Sequence, residues 1–178
     1  MSGKFYIKML NLYKCLTHLG LKMFKFEKQQ FKIMDSFILG EDIKVMYVTA
    51  SNFPTDIQSA HEHLHSLLPN VDRRRIFGIS APNEEGQIIY KAAAEEMFPG
   101  ESQNLGLPTF IISHGAYMSF FITDYRNDID SISRAFKLLL SQQEADSNGY
   151  CLEWYIGDSD VKCLVPSGPE DYPDAHLH

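Results

Sequence analysis

The order strand, helix, strand, strand is written twice along this chain, and that repeat limits the folds open to it. In the first copy, residues 43–50 are rich in β-branched and aromatic side chains and read as a strand. Residues 54–69 read as a helix: Ile57, Ala60, Leu64 and Leu67 recur at helical spacing, Pro54 suits a first turn, and Pro69 and Asn70 stop it. Residues 76–81 and 88–97 form a hairpin around the turn at 82–86. In the second copy, residues 109–123 are strand-like with a break at 113–115. Residues 129–142 are a helix with Ile129, Ile132, Phe136 and Leu139 on one face, and residues 151–156 and 161–165 form a second hairpin. Each unit has one helix to cover one sheet face, and two units complete each other by pairing side by side. The expected fold is α+β: duplicated strand–helix–strand–strand units forming an antiparallel sheet, two helices on one face, and a ligand cleft between the units.

The second hairpin carries a register. With a four-residue loop, Ile156 stands opposite Val161, Trp154 opposite Cys163 and Leu152 opposite Val165. That surface is wholly apolar and is expected under the helix, which makes Trp154 a core residue. The other surface carries Cys151, Glu153, Tyr155, Lys162 and Leu164. Cys151 and Cys163 then point to different faces and form no disulfide.

Charge divides the chain. Residues 1–33 hold seven Lys against Glu27, a sum of +6, whereas the remainder sums to -13 within an overall -7. An acidic body excludes nucleic acid as the main partner, since duplex binding needs cationic neutralisation of phosphates. Three cysteines are too few for a disulfide framework, which points to a reducing cytoplasm. No apolar run is long enough for a membrane span, and Lys4, Lys8, Lys14 and Lys22 interrupt any secretory signal. Three segments are therefore expected: a basic extension over 1–33, a ligand-binding domain over 34–166 and a tail over 167–178. Phe5, Met9, Leu12, Leu16 and Leu19 can line one face of a helix in the extension. Met23 and Met34 both precede the first strand, so a chain begun at either keeps every motif, and the extension is expected to be dispensable for folding.

The duplicated order, together with residues 76–80 (Ile-Phe-Gly-Ile-Ser), 89–92 (Ile-Tyr-Lys-Ala), 114–117 (His-Gly-Ala-Tyr), 152–155 (Leu-Glu-Trp-Tyr) and the Val-Pro end at 165–166, resembles the GyrI-like small-molecule-binding family. That family includes effector domains of bacterial multidrug-responsive transcription activators. The resemblance implies an aromatic-lined pocket between the two units, with the glutamate of the Leu-Glu-x-Tyr strand, here Glu153, meeting a cationic, aromatic ligand. The chain shows no helix-turn-helix, so the expected function is a stand-alone binding protein for a small organic molecule. Since the family also includes hydrolases of strained small molecules, the alternative is a small hydrolase in which Glu153 is the catalytic group.

Physical reasoning gives Glu153 two readings. An ionised carboxylate out of water costs several kcal/mol unless paired, so a pocket holding one favours a cation or raises the carboxyl pKa. On an exposed face it would instead form a solvated diagonal pair with Lys162, worth about 0.2–1 kcal/mol. The resemblance favours the pocket, with Tyr155, Tyr90, Tyr117 and Phe121 as aromatic walls. His61, His63 and His65 alternate along the first helix. His61 and His65 have metal-pair spacing, but nothing completes a set, so a solvated helix face is expected, and His176 and His178 read as tail. Arg73, Arg74 and Arg75 read as a solvated connector rather than an anion grip. No Gly-rich phosphate loop, Cys-x-x-Cys pair or nucleophile elbow occurs, and no cofactor or metal is expected.

Overall fold

The computed structural model describes residues 34–142 and 149–167. The expectations for the extension, for His176 and His178, and for the tail beyond Ser167 lie outside those residues. The described elements run β1 (Asp35–Leu39), β2 (Ile43–Thr49), α1 (Ile57–Leu67), β3 (Ile76–Pro82), β4 (Ile88–Glu95), α2 (Glu101–Leu105), β5 (Thr109–Ile112), β6 (Gly115–Ile122), α3 (Asp130–Leu139), β7 (Cys151–Ile156) and β8 (Asp160–Pro166). The fold is α+β with both main helices on one sheet face, as the repeat required. Beyond the expected elements come β1 and the short helix α2, and the expected break in 109–123 separates β5 from β6 at residues 113–114.

All eight strands join one antiparallel sheet in the order β1-β6-β8-β7-β3-β4-β2-β5. The order shows the duplication: β2, β4 and β3 mirror β6, β8 and β7 about the central pair β3 and β7. Each unit also lends its leading strand to the other, β1 to β6 and β5 to β2. In a flat sheet, β1 and β2 would stand six strand spacings apart, about 29 Å. Residues 40–42 alone connect them, and that link reaches about 14 Å. The sheet must therefore curl until its two edges approach. Residues 113–114 make the same crossing from β5 to β6, and the His114 backbone N–H donates to Asp42 Oδ1 at 2.7 Å, tying the two crossings together.

Curling buries both faces. On one, α1 sets Ala60 and Leu64 over Met46, Tyr90, Ala92 and Ala94, while α3 sets Ala135, Phe136 and Leu139 over Val161, Cys163 and Val165. The other face closes on itself around Phe77, Ile79, Ala93, Tyr117, Leu152 and Leu164.

The β7–β8 register differs from expectation by one residue. Leu152 stands opposite Leu164, Glu153 opposite Cys163 and Tyr155 opposite Val161. The chain turns through 157–159, with Gly157 at φ 58, a left-handed conformation that glycine adopts without a Cβ penalty. A one-residue slip turns one strand over relative to its partner. Val161, Cys163 and Val165 still face α3, but β7 presents Cys151, Glu153 and Tyr155 beside them, and Leu152 and Trp154 join the second core. Cys151 and Cys163 are free thiols on the same face, not on different faces.

The solvated-connector reading holds for exposed Arg73 but is corrected for Arg74 and Arg75. Arg74 is buried and bidentate to Glu101, with contacts of 2.9 and 2.6 Å at 2% and 3% side-chain exposure, and it donates to the Glu95 and Pro69 carbonyls. Arg75 pairs with Glu95. The Arg74 guanidinium holds the Glu101 carboxyl below its ordinary range. A carboxyl depressed in the folded state contributes stability that is present above its unfolded value and lost as pH falls through the folded one. Arg74→Ala strands a buried carboxylate and should cost about 3–5 kcal/mol in urea unfolding at neutral pH. A deficit that shrinks on acidification is expected, and one that is constant with pH would refute the ion-pair account.

Candidate functional site

Because α1 lies over β4 and β2, and α3 over β8 and β6, the central pair β3 and β7 runs between the helices. The pairing of Ile76 with Tyr155, Gly78 with Glu153 and Ser80 with Cys151 makes those residues the floor of the cleft between the units. Tyr90 enters from β4, opposite Ser80.

Glu153 is 8% exposed. Its Oε2 accepts two hydrogen bonds, from the Tyr155 hydroxyl at 2.5 Å and the Tyr90 hydroxyl at 2.9 Å. Each phenol has one proton, and each donates it to the carboxyl. His61 Nε2, 3.1 Å from the Tyr90 oxygen, must therefore be the donor in that contact, which assigns His61 the Nε2–H tautomer. Among the described residues no Lys or Arg pairs with Glu153. Burial pushes the carboxyl up, opposed in part by the bonds from Tyr155 and Tyr90. Burial likewise pushes both phenols well above their ordinary value.

Rings surround the carboxyl. His61 meets Tyr155 edge-on at 5.3 Å and Tyr90 at 6.0 Å, Phe53 stacks on Tyr90 at 6.1 Å, and Tyr125 lies 5.5 Å from Tyr155. Electron-rich faces around a buried carboxyl that has no cationic partner among the described residues suit a flat or globular cation.

Of the five residues expected to line the site, Glu153, Tyr155 and Tyr90 come together. Tyr117 and Phe121 do not. Phe121 stands opposite Lys162 and Tyr117 opposite Pro166, and both belong to the face turned away from the helices. Tyr117 is buried in the second core, its hydroxyl 2.8 Å from that of Tyr150. Alternation along β6 cannot say which face is which, and the break at 113–114 hid the parity. The solvated pair of Glu153 with Lys162 is absent too: Lys162 sits on the opposite face, its Nζ 4.5 Å from the Phe37 ring centre.

His61, Phe53, Tyr125 and Gly78 were not anticipated. His63 and His65 are exposed as expected, but His61 is not. It lies four residues after Ile57 and three before Leu64, on the inner stripe of α1, and that spacing was the available signal. Gly78 makes the close approach possible. A Cβ there would lie 2.0 Å from the Tyr90 hydroxyl and 2.6 Å from Glu153 Oε2.

Two solved structures share this architecture. SAV2435, solved bound to tetraphenylphosphonium, superposes with a TM-score of 0.57 at 13% identity, covering 82% of this chain and 99% of that one. An integron cassette protein from the mobile metagenome of Vibrio cholerae superposes with a TM-score of 0.58 at 14% identity, covering 77% of this chain and 97% of that one. At such identities the likeness is one of fold, and it is the fold that the GyrI-like resemblance implied. No family model matches the sequence, and no curated protein does.

Gly78→Ala should force apart the tips of Tyr90 and Glu153. Tyr90 is 1% exposed and cannot swing away, so overpacking of about 1–3 kcal/mol is expected in chemical denaturation. An unchanged midpoint would show that the cluster rearranges freely. His61 tests the same packing by pH. Burial, then the charge of His65, brings it from 6.5 down to about 4. A depressed histidine withholds a proton that the unfolded chain binds, so stability should fall as pH drops from 6.5 towards 4. His61→Gln should flatten that part of the profile. An identical slope would place His61 in water.

Proposed function

We propose that this chain is a GyrI-like binding protein for a small, cationic, aromatic organic molecule, held against Glu153 in the cleft between α1 and α3. One observation carries the reading: Glu153 is buried with hydrogen bonds from neutral phenols and no cationic partner among the described residues. The desolvation cost of such a carboxylate is several kcal/mol, and a ligand bearing the opposite charge offsets it. Tyr155, Tyr90, Tyr125, Phe53 and His61 supply stacking and cation–π surface worth about 0.5–2 kcal/mol per ring. The lipophilic cation bound by SAV2435 has this chemistry. A cytoplasmic setting fits the free thiols of Cys151 and Cys163, and among the described residues no helix is long and apolar enough to cross a membrane. A bacterial, regulatory role belongs to the same reading and rests on the resemblance.

Calorimetric titration with tetraphenylphosphonium tests it, with tetraphenylborate as a control of similar shape and opposite charge. Wild type should bind the cation and not the anion. Glu153→Gln should weaken cation binding by at least tenfold, since truncating one partner of a buried charge pair costs about 2–5 kcal/mol. Equal affinity for both probes, or an unchanged Glu153→Gln variant, would defeat the reading.

A further inference from the structure

We propose that Glu153 takes up its organic cation in exchange for a proton: before the cation arrives, Oε1 carries a hydrogen, and binding releases that proton to solvent. The inference rests on the cation-binding reading and adds its coupling to pH.

The geometry separates the two carboxyl oxygens. Both phenol protons go to Oε2. Oε1 accepts no hydrogen bond among the described residues. Among those residues Ser131 Oγ is the buried side-chain polar atom without a partner, so Oε1 must keep contact with solvent. With Oε2 taken by both phenols, Oε1 is the place for a proton.

Among the described residues nothing around the carboxyl supplies positive charge. β3 presents Gly78 and Ser80, β4 Tyr90, β7 Cys151 and Tyr155, and β8 Cys163. From α1 comes His61, and from the turn ahead of α3 comes Tyr125 against Tyr155. Burial keeps both thiols and both inner phenols protonated and His61 neutral at physiological pH. Arg126, whose guanidinium carbon is 5.9 Å from the Tyr125 ring centre, is exposed. Burial also pushes Glu153 up, in the direction that favours its neutral form.

The step balances. The carboxyl O–H bond breaks, its proton passes to water, and the carboxylate left behind faces the ligand's charge. The site stays neutral before and after, so no net charge is buried and no co-reactant is needed. The sign follows by linkage: below the carboxyl's folded pKa the cation must displace a proton, and affinity falls about tenfold per pH unit; above it, affinity is flat.

Tetraphenylphosphonium is the right probe, because its charge is fixed and any proton released comes from the protein. Titrations in two buffers of different ionisation enthalpy count the protons released. Infrared difference spectra follow the carbonyl stretch of the protonated carboxyl. The free protein should show that band on the acid side, and the cation should remove it as up to one proton leaves. Glu153→Gln should lack the band. Tyr155→Phe, which removes a donor favouring the ionised form, should move the pH midpoint of binding upward, a shift that a purely structural role would not produce. Binding with no proton release across the acid and neutral range, with the band unchanged, overturns the exchange alone. No binding at any pH overturns the cation-binding reading and this inference with it.

Discussion

Residues 40–42 and 113–114 carry the chain between opposite margins of an eight-stranded sheet, and almost everything else follows from how short they are. A flat sheet cannot satisfy them, so the sheet closes on itself. Closure makes a second core, with no covering helix among the described residues, from Phe77, Ile79, Tyr117, Leu152 and Leu164. It also explains the exchange of leading strands. With β1 held by β6 and β5 by β2, neither unit completes its own sheet, and the two are joined by pairing on both flanks as well as at the centre.

The same closure sets the site. The helices sit over the outer strands of each three-strand group, and the central pair is left between them. The middle of the β3–β7 pair, Gly78 opposite Glu153, therefore lies between the two helices, while Ile76 and Cys151 still pack into the helix–sheet cores. On β3 the middle position is Gly78, with no side chain. On β7 it is Glu153, and the room vacated by one admits the other together with the tip of Tyr90.

Two buried carboxyls show how environment moves the same group in opposite directions. Glu101 has a guanidinium in bidentate contact and a backbone N–H from Met97, and is held low. Glu153 has two phenols and is pushed up. The first is satisfied within the fold. The second is hydrogen-bonded but has no cationic partner among the described residues, which is what the proposed cation site rests on.

Periodicity determined the helices of both units, the two hairpins and the α+β class, because each signal is local: apolar spacing in α1 and α3, turn residues at 82–86 and beyond Ile156. The Leu-Glu-x-Tyr motif singled out Glu153 and Tyr155, and strand alternation put both on one face. What periodicity could not decide was parity between strands. One residue more or less in the 157–159 loop turns β7 over against β8, and so decides whether Glu153 meets Lys162 in water or Tyr90 under the helices. Tyr117 and Phe121 fell on the far face for the same reason. Arg74 with Glu101, 27 residues apart, and His61 with Tyr90, 29 apart, are pairs that no local pattern announces. They exist because a closed sheet brings distant segments within hydrogen-bonding reach, and that closure is a property of the assembled strands, not of any one of them.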